Sequence, residues 1–213
     1  MNDFIALLPT LITKIGQHLI ISLSALGLGC LIAIPLGVII SRSKRLSSVV
    51  IAIASVLQTI PSLALLAMIV PIMGVGRKPA IVALCIYSLL PILRNTFLGV
   101  QSVDSSIVDA AKGMGMNPFQ QIKAVQVPLA FPVIMSGVRL STTLVLAWTT
   151  LASYIGAGGL GDLIFSGLNN FNMTLILSGT FPIIILAFII DLILEKVEIA
   201  WTPKTERKGG ESL

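Results

Sequence analysis

The chain has 213 residues, of which 55% are hydrophobic and 11% charged, and its mean hydropathy is +1.00. An ordinary soluble domain carries roughly a quarter charged residues, so this composition excludes a water-soluble globule and points to a bilayer. The net charge of +5 comes from Lys and Arg scattered through short polar segments; without a basic stripe or a recognisable nucleic-acid module it argues for membrane topology, not for nucleic acid.

Measured against the roughly 20 apolar residues that cross a bilayer core, five stretches qualify, at about 18–40, 48–73, 80–100, 133–155 and 173–194. The predicted architecture is therefore an all-α integral membrane protein, one transmembrane domain over residues 1–213 with five spans. The opening segment MNDFIALLPTLITKIGQ has one Lys and no small-x-small cleavage pattern, and the apolar run continues past Cys30. It reads as an uncleaved first helix and not as a lipoprotein signal. His18 has no Cys, Glu or second His spaced to join it, so no metal site is expected. Cys30 and Cys85 both lie inside apolar runs and read as small buried or lipid-facing residues, not a disulfide pair. Pro35, Gly37, Pro61 and Pro91 fall inside spans. Neighbouring helices can re-satisfy the backbone groups they free, so they mark kinks without arguing against helices.

Between the third and fourth spans the sequence turns polar, with DAAKGMGMNPFQQIKAVQVPLAFP from Asp109 to Pro132. Ser106 followed by Asp109 resembles a capping box, and a short helix is expected over 107–114, with Ile107, Ala111 and Met114 on one face. Gly115 can supply the left-handed residue that closes it. Asn117 can cap a second helix whose first position suits Pro118, and that helix is expected to stop before Pro128. The unit spans about 104–130. On these grounds alone it is either a plain connector or a docking knob.

In the fourth span and its neighbours, polar or aromatic groups within apolar runs need a reason. Gln58, Thr59, Trp148, Thr149, Ser153 and Tyr154 are the candidates for a solute path; packing and interhelical hydrogen bonds are the alternative for each. The stretch GAGGLGD holds Gly156, Gly158, Gly159 and Gly161, a span-ending turn where glycine permits positive φ or close backbone approach. After the fifth span, TPKTERKGGESL over 202–213 is short and charged, and is expected to be disordered.

Orientation follows from the basic residues. Arg42, Lys44, Arg45, Lys112, Lys123, Lys196, Lys204, Arg207 and Lys208 follow odd-numbered spans, against Lys14, Arg77 and Lys78 on the other side. The in-span charges Arg94, Arg139 and Asp191 fall toward the richer side. The N-terminus is expected outside and the C-terminus in the cytoplasm of a bacterial cell membrane.

The spacing Asp109-Ala110-Ala111, Gly115, Val125-Gln126-Val127-Pro128 resembles the Glu-Ala-Ala, Gly, Ile-x-Leu-Pro loop motif of membrane subunits of bacterial ABC importers. Asp stands for Glu, and Val for both Ile and Leu. LQTIPSLALLAMIVPIMGVG from Leu57, YSLLPILRNTFLGV from Tyr87 and TLASYIGAGGLGDLIFSGL from Thr150 are similar to the permeases of glycine betaine, carnitine and choline uptake systems of the OpuC and OpuB type. The likeness runs from about 17 to 203.

This resemblance implies a type I, MetI-like permease fold. It also implies a complex with a second permease, related or identical, a cytoplasmic ATP-binding subunit and an extracellular substrate-binding protein. Asp109, Ala110, Ala111, Gly115, Met116, Asn117, Pro118 and Pro128 would form a coupling loop docked on the ATPase, and Gly156, Gly158, Gly159 and Gly161 an external gate. ATP and Mg would be bound by the partner, with no cofactor on this chain. Independently, no G-x-x-x-x-G-K-[ST] phosphate loop occurs, so the chain is not expected to be an enzyme. A permease for another small solute, such as an amino acid or ergothioneine, remains an alternative. So does a channel-like membrane protein, although it gives no reason for the capped loop. A secondary transporter would carry ionisable groups near mid-membrane, which all five spans lack. Ser141, Thr142 and Thr143 have no paired base in the sequence, which weakens an intramembrane enzyme.

Overall fold

The computed structural model describes residues 2–202. The tail expected to be disordered lies, beyond Thr202, outside the described residues. The chain is built of α1 (Asn2–Ile40), α2 (Lys44–Thr59), α3 (Ser62–Met73), α4 (Arg77–Gln101), α5 (Ser105–Gly113), α6 (Pro118–Gln121), α7 (Val127–Thr149), α8 (Gly161–Asn169) and α9 (Met173–Trp201). A π-helical turn, Ile122–Gln126, joins α6 to α7, and a 3-10 turn, Leu151–Ile155, follows α7. Among the described residues, four segments are long and apolar enough to cross a bilayer: Leu7–Ile40, Arg77–Gln101, Pro118–Thr149 and Met173–Trp201.

The stretch expected as one helix over 48–73 is two, α2 and α3, bent by 93°. Pro61 disfavours the helical conformation at the preceding residue, and Ile60 is extended at φ −65°, ψ 127°. The carbonyl freed at Ile60 receives the Tyr87 hydroxyl of α4. The pair still travels from one end of the bundle to the other. Arg42, just before α2, donates to the Pro118 carbonyl at 2.8 Å, and Gly76, just after α3, donates to the Ile155 carbonyl at 2.8 Å. Counting this pair as one crossing gives up to five.

α4 is the centre, packed by α1 on one side and α7 on the other. Lipid supplies no hydrophobic drive between helices, so close approach and interhelical hydrogen bonds must hold them. A Cβ on Gly37 of α1 would lie 2.7 Å from Thr96 Cβ, and one on Gly137 of α7 would lie 2.5 Å from Asn95 Cβ. Ser141 of α7 donates to the Ser88 carbonyl of α4 at 2.8 Å. The hydroxyls of Thr142 and Thr143 likewise donate to carbonyls of their own helix.

α9 is tied to α7 by charge. Arg139 makes a two-pronged bond to Asp191 at 2.8 and 2.9 Å and reaches Glu198 at 3.1 Å. The planar guanidinium matches a carboxylate in this way, and such bonds are stronger than neutral ones. Asp191, Glu195 and Glu198 sit at i, i+4 and i+7, one face of a helix, a signal that was present in the sequence.

Candidate functional site

Two connectors at opposite ends of the bundle hold most of the sequence-nominated residues. At one end, α5 begins at Asp104, whose side chain accepts from the Ser106 amide at 2.8 Å. This corrects the expected Ser106–Asp109 start: the carboxylate two residues before Ser106 reaches the free amides first. The bond holds the Asp104 carboxyl below its usual value. Of the three residues placed on one face, Ala111 is covered, at 1% exposure, while Met114 is 72% exposed and Ile107 is also exposed. Asp109 and Ala110 are exposed.

The turn follows its local rules closely. Gly115 has φ +81°; its amide donates to the Lys112 carbonyl at 2.9 Å, and the Met116 amide donates to the Ala111 carbonyl at 3.2 Å. That pair of bonds is a Schellman closure. Asn117 accepts from the Gln120 amide at 2.9 Å while the Gln120 side chain accepts from the Asn117 amide at 2.8 Å. This is a capping box, with Pro118 at the first helical position. Phe119, which the sequence reading did not single out, is 69% exposed on the other side of the turn from Met114 in the chain.

The second loop helix does not stop before Pro128. It runs through the π turn, in which the Val127 amide donates to the Ile122 carbonyl, and on into α7. The widened turn shifts the bonding register where Pro128 has no amide to give. Residues 118 to 149 are thereby one continuous rod.

At the other end, Gly156, Gly158 and Gly159 have φ of +71°, +85° and +93°. Gly161 is different: it opens α8, a helix the sequence reading did not anticipate. A Cβ there would collide with the Thr150 carbonyl and the Ser153 hydroxyl. α1 clasps this connector with three residues at helical spacing. Lys14 pairs with Asp162, Gln17 accepts from the Gly159 amide at 3.0 Å, and buried His18, which bonds the Leu146 carbonyl through Nε2 at 3.1 Å, lies against Gly159. Lys14, Gln17 and His18 form a polar i, i+3, i+4 set in an apolar helix. That pattern was legible, but its target was not.

The six path candidates divide. Ser153 and Tyr154 line one cavity of about 510 Å3 together with Lys14 and Asp162. Thr149 is fully buried and bonds the Val145 carbonyl at 2.7 Å, so it is spent within its own helix. Trp148 packs on Tyr87 with ring centroids 4.6 Å apart, in the cluster that also holds Ile60 at the α2–α3 break. Gln58 is half-buried and Thr59 exposed just before that break. The structure therefore does not bring the six together.

Residues 25–199 match the family model described as binding-protein-dependent transport system inner membrane component. The carnitine transport permease protein OpuCB of Listeria monocytogenes is 53% identical over 94% of this chain and 94% of its own length. The glycine betaine/carnitine/choline transport system permease protein OpuCB of Bacillus subtilis is 49% identical, covering 96% of each chain. Among solved structures, a MetNI methionine ABC transporter in an inward-facing conformation superposes with TM-score 0.85 at 21% identity, over 93% of this chain and 99% of that one; this likeness concerns the fold. With the matched span reaching from within α1 to the end of α9, the chain belongs to the family of inner-membrane components of binding-protein-dependent transport systems.

Proposed function

We propose that this chain is the membrane-spanning subunit of an ATP-driven importer of quaternary ammonium osmolytes: glycine betaine, carnitine or choline. The solutes named for its relatives motivate the substrate class. The carrying observation for the mechanism is the α5–α6 turn, where a Schellman closure and a capping box fix the backbone while Met114 and Phe119 stay uncovered. Exposed apolar side chains on a rigid turn are what a partner surface takes up.

In this reading Asp109, Ala110, Ala111, Gly115, Met116, Asn117, Pro118 and Pro128 form the coupling loop against a cytoplasmic ATP-binding subunit, which alone binds ATP and Mg. The rod from Pro118 to Thr149 carries the partner's movement across the membrane to the connector at Gly156–Gly161, the external gate beneath a substrate-binding protein. A second permease, identical or related, completes the path. Ser153 and Tyr154 are the path residues retained. The N-terminus lies outside and the C-terminus in the cytoplasm.

The test is to co-express the importer's chains with Phe119→Asp in this one. The ATP-binding subunit should fail to co-purify while the chain still inserts; retained assembly and solute-stimulated hydrolysis would refute the docking. Orientation is read with a membrane-impermeant thiol reagent on intact cells. Arg45→Cys and Asn170→Cys are suitable because both positions are exposed, whereas Ser47 is only 4% exposed and would be shielded on either side. Asn170→Cys should label and Arg45→Cys should not.

A further inference from the structure

The end of the bundle away from the α5–α6 turn carries a cavity of about 510 Å3, within the roughly 300–1,000 Å3 range of small-ligand sites. Its lining falls into two chemically distinct parts. One is aromatic: Tyr154 and Phe165 pack with centroids 4.2 Å apart, and Tyr154 is left 64% exposed. The other is polar. Lys14 and Asp162 form an ion pair at the wall, and Asn169, two turns further along α8, contributes an amide to the same lining. The Lys14 ammonium has three protons, so pairing with Asp162 leaves donors free.

We propose that this cavity is a transit subsite for a zwitterion carrying a quaternary ammonium at one end and a carboxylate at the other; the proposal rests on the importer reading above. A quaternary ammonium has no N–H to donate. It is held by aromatic faces and by a nearby negative charge, here Tyr154, Phe165 and Asp162. The carboxylate requires donors, which Lys14 and Asn169 supply. Because Lys14 and Asp162 cancel, the cavity favours neither a net cation nor a net anion. It favours a solute whose own two charges oppose theirs. The clasp of Gln17 on Gly159 holds the start of α8, and so the Asp162 carboxylate, at a set distance from α1. Such pre-organisation lowers the cost of binding.

The experiment uses the complete importer in liposomes, with saturating binding protein loaded either with glycine betaine, a zwitterion, or with choline, a cation without the carboxylate. Lys14→Met combined with Asp162→Asn should lower betaine uptake about tenfold, because betaine loses a partner at each end, and choline uptake about twofold or less, because for a cation the lost attraction of Asp162 is offset by the lost repulsion of Lys14. Tyr154→Leu should lower uptake of both. The pair also holds α1 to α8, so the swapped variant, Lys14→Asp with Asp162→Lys, separates the roles. It re-forms the ion pair but exchanges the two charges between α1 and α8. Betaine uptake should stay low; recovery to wild-type level would mean a structural pair and would overturn the subsite. Equal loss for both solutes in the neutral variant would overturn it as well. A wild-type importer that moves none of betaine, choline and carnitine would instead refute the importer reading on which the subsite depends.

Discussion

A Cβ added to Gly115 would meet no atom within 4 Å, whereas one added to Gly161 would run into the Thr150 carbonyl and the Ser153 hydroxyl. Both glycines sit in connectors between long apolar helices, yet they answer to different physics. At 114–117 the fold is local: every bond closing the turn joins residues within five positions of each other, and glycine is needed only for its φ of +81°. At 156–162 the fold is tertiary. Lys14 and Gln17 reach it from 148 and 142 residues away, and Gly161 is needed for space. The first connector is shaped before it meets anything and leaves apolar groups uncovered. The second takes its shape from α1 and α7, and Ala157, Gly159, Leu160 and Gly161 are buried in it. The proposed roles fit this difference: a docking element must be rigid while exposed, and a gate must be held by contacts that can be released.

The sharpest way to break this contrast is Gly161→Ala. The atoms in the way include backbone, so α7 or α8 must move, and overpacking of this kind costs typically about 1–3 kcal/mol, occasionally more. Thermal unfolding of the purified complex should fall accordingly, with poor recovery of folded protein. A change within about 0.5 kcal/mol, as at an ordinary surface site, would show that the connector is not set by packing.

Gly115→Val should be the converse case, with folding and insertion retained and function lost. The left-handed conformation costs a residue with Cβ roughly 1–2 kcal/mol, more for a β-branched one, and the turn should swing Phe119 off its bearing. Solute-stimulated ATP hydrolysis should drop by most of its amplitude. Gly115→Ala should be milder, since the site has room and lacks only the favoured φ. Normal stimulation in Gly115→Val would reduce the turn to a connector.

Asn117→Ala sharpens the local side further by removing one half of the capping box, a change worth about 1 kcal/mol. Stimulated hydrolysis should fall by less than in Gly115→Val, with thermal stability of the membrane core unchanged. A loss of core stability would contradict the separation of the two ends.

The smallest effect is expected at Asp104. Its carboxyl is held below its ordinary value by the Ser106 amide, so the stabilisation it lends α5 is complete above the unfolded value, near 4. It is lost only as pH falls through the lower folded value. Protection of the Ser106–Val108 amides, taken relative to the intrinsic exchange rate at each pH, should be constant between pH 7 and 5 and fall in more acid solution, and Asp104→Asn should remove the acid step. An exchange step already present above pH 5 would assign the cap to another group.

How much of this was legible follows the same division. The Gly115 closure, the Asn117 cap and Pro118 could be read because their partners are neighbours in the chain. The cap of α5 was misplaced by two residues because Asp104 and Ser106 are both residue types that accept from an amide two or three positions on, and only geometry chooses which of them starts the helix. Pro61 was readable as a kink, but the 93° bend also needs Tyr87 on another helix to take up the Ile60 carbonyl. Pro128 was read as a stop because local rules treat a proline as the end of the helix before it. The π turn that lets it pass is a shift in register with no compositional mark. Of the path candidates, Trp148 and Thr149 were nominated by residue type, and packing against Tyr87 and within α7 shows how their groups are spent.

The sequence by itself determined the solvent, the presence of long apolar helices of membrane-crossing length and the closure of the 114–118 turn, because hydropathy, helix length and turn chemistry act over a few residues to about 20. Only the tertiary structure decided where α1's Lys14, Gln17 and His18 find their partners, that α6 and α7 are one rod, that Arg139 gathers three acids from α9, and which polar groups share a cavity. In a membrane nearly every face is apolar, so periodicity carries little information about which helix meets which. That choice is made by glycine gaps such as Gly37 and Gly137 and by a few polar groups, whose partners lie scores of residues away.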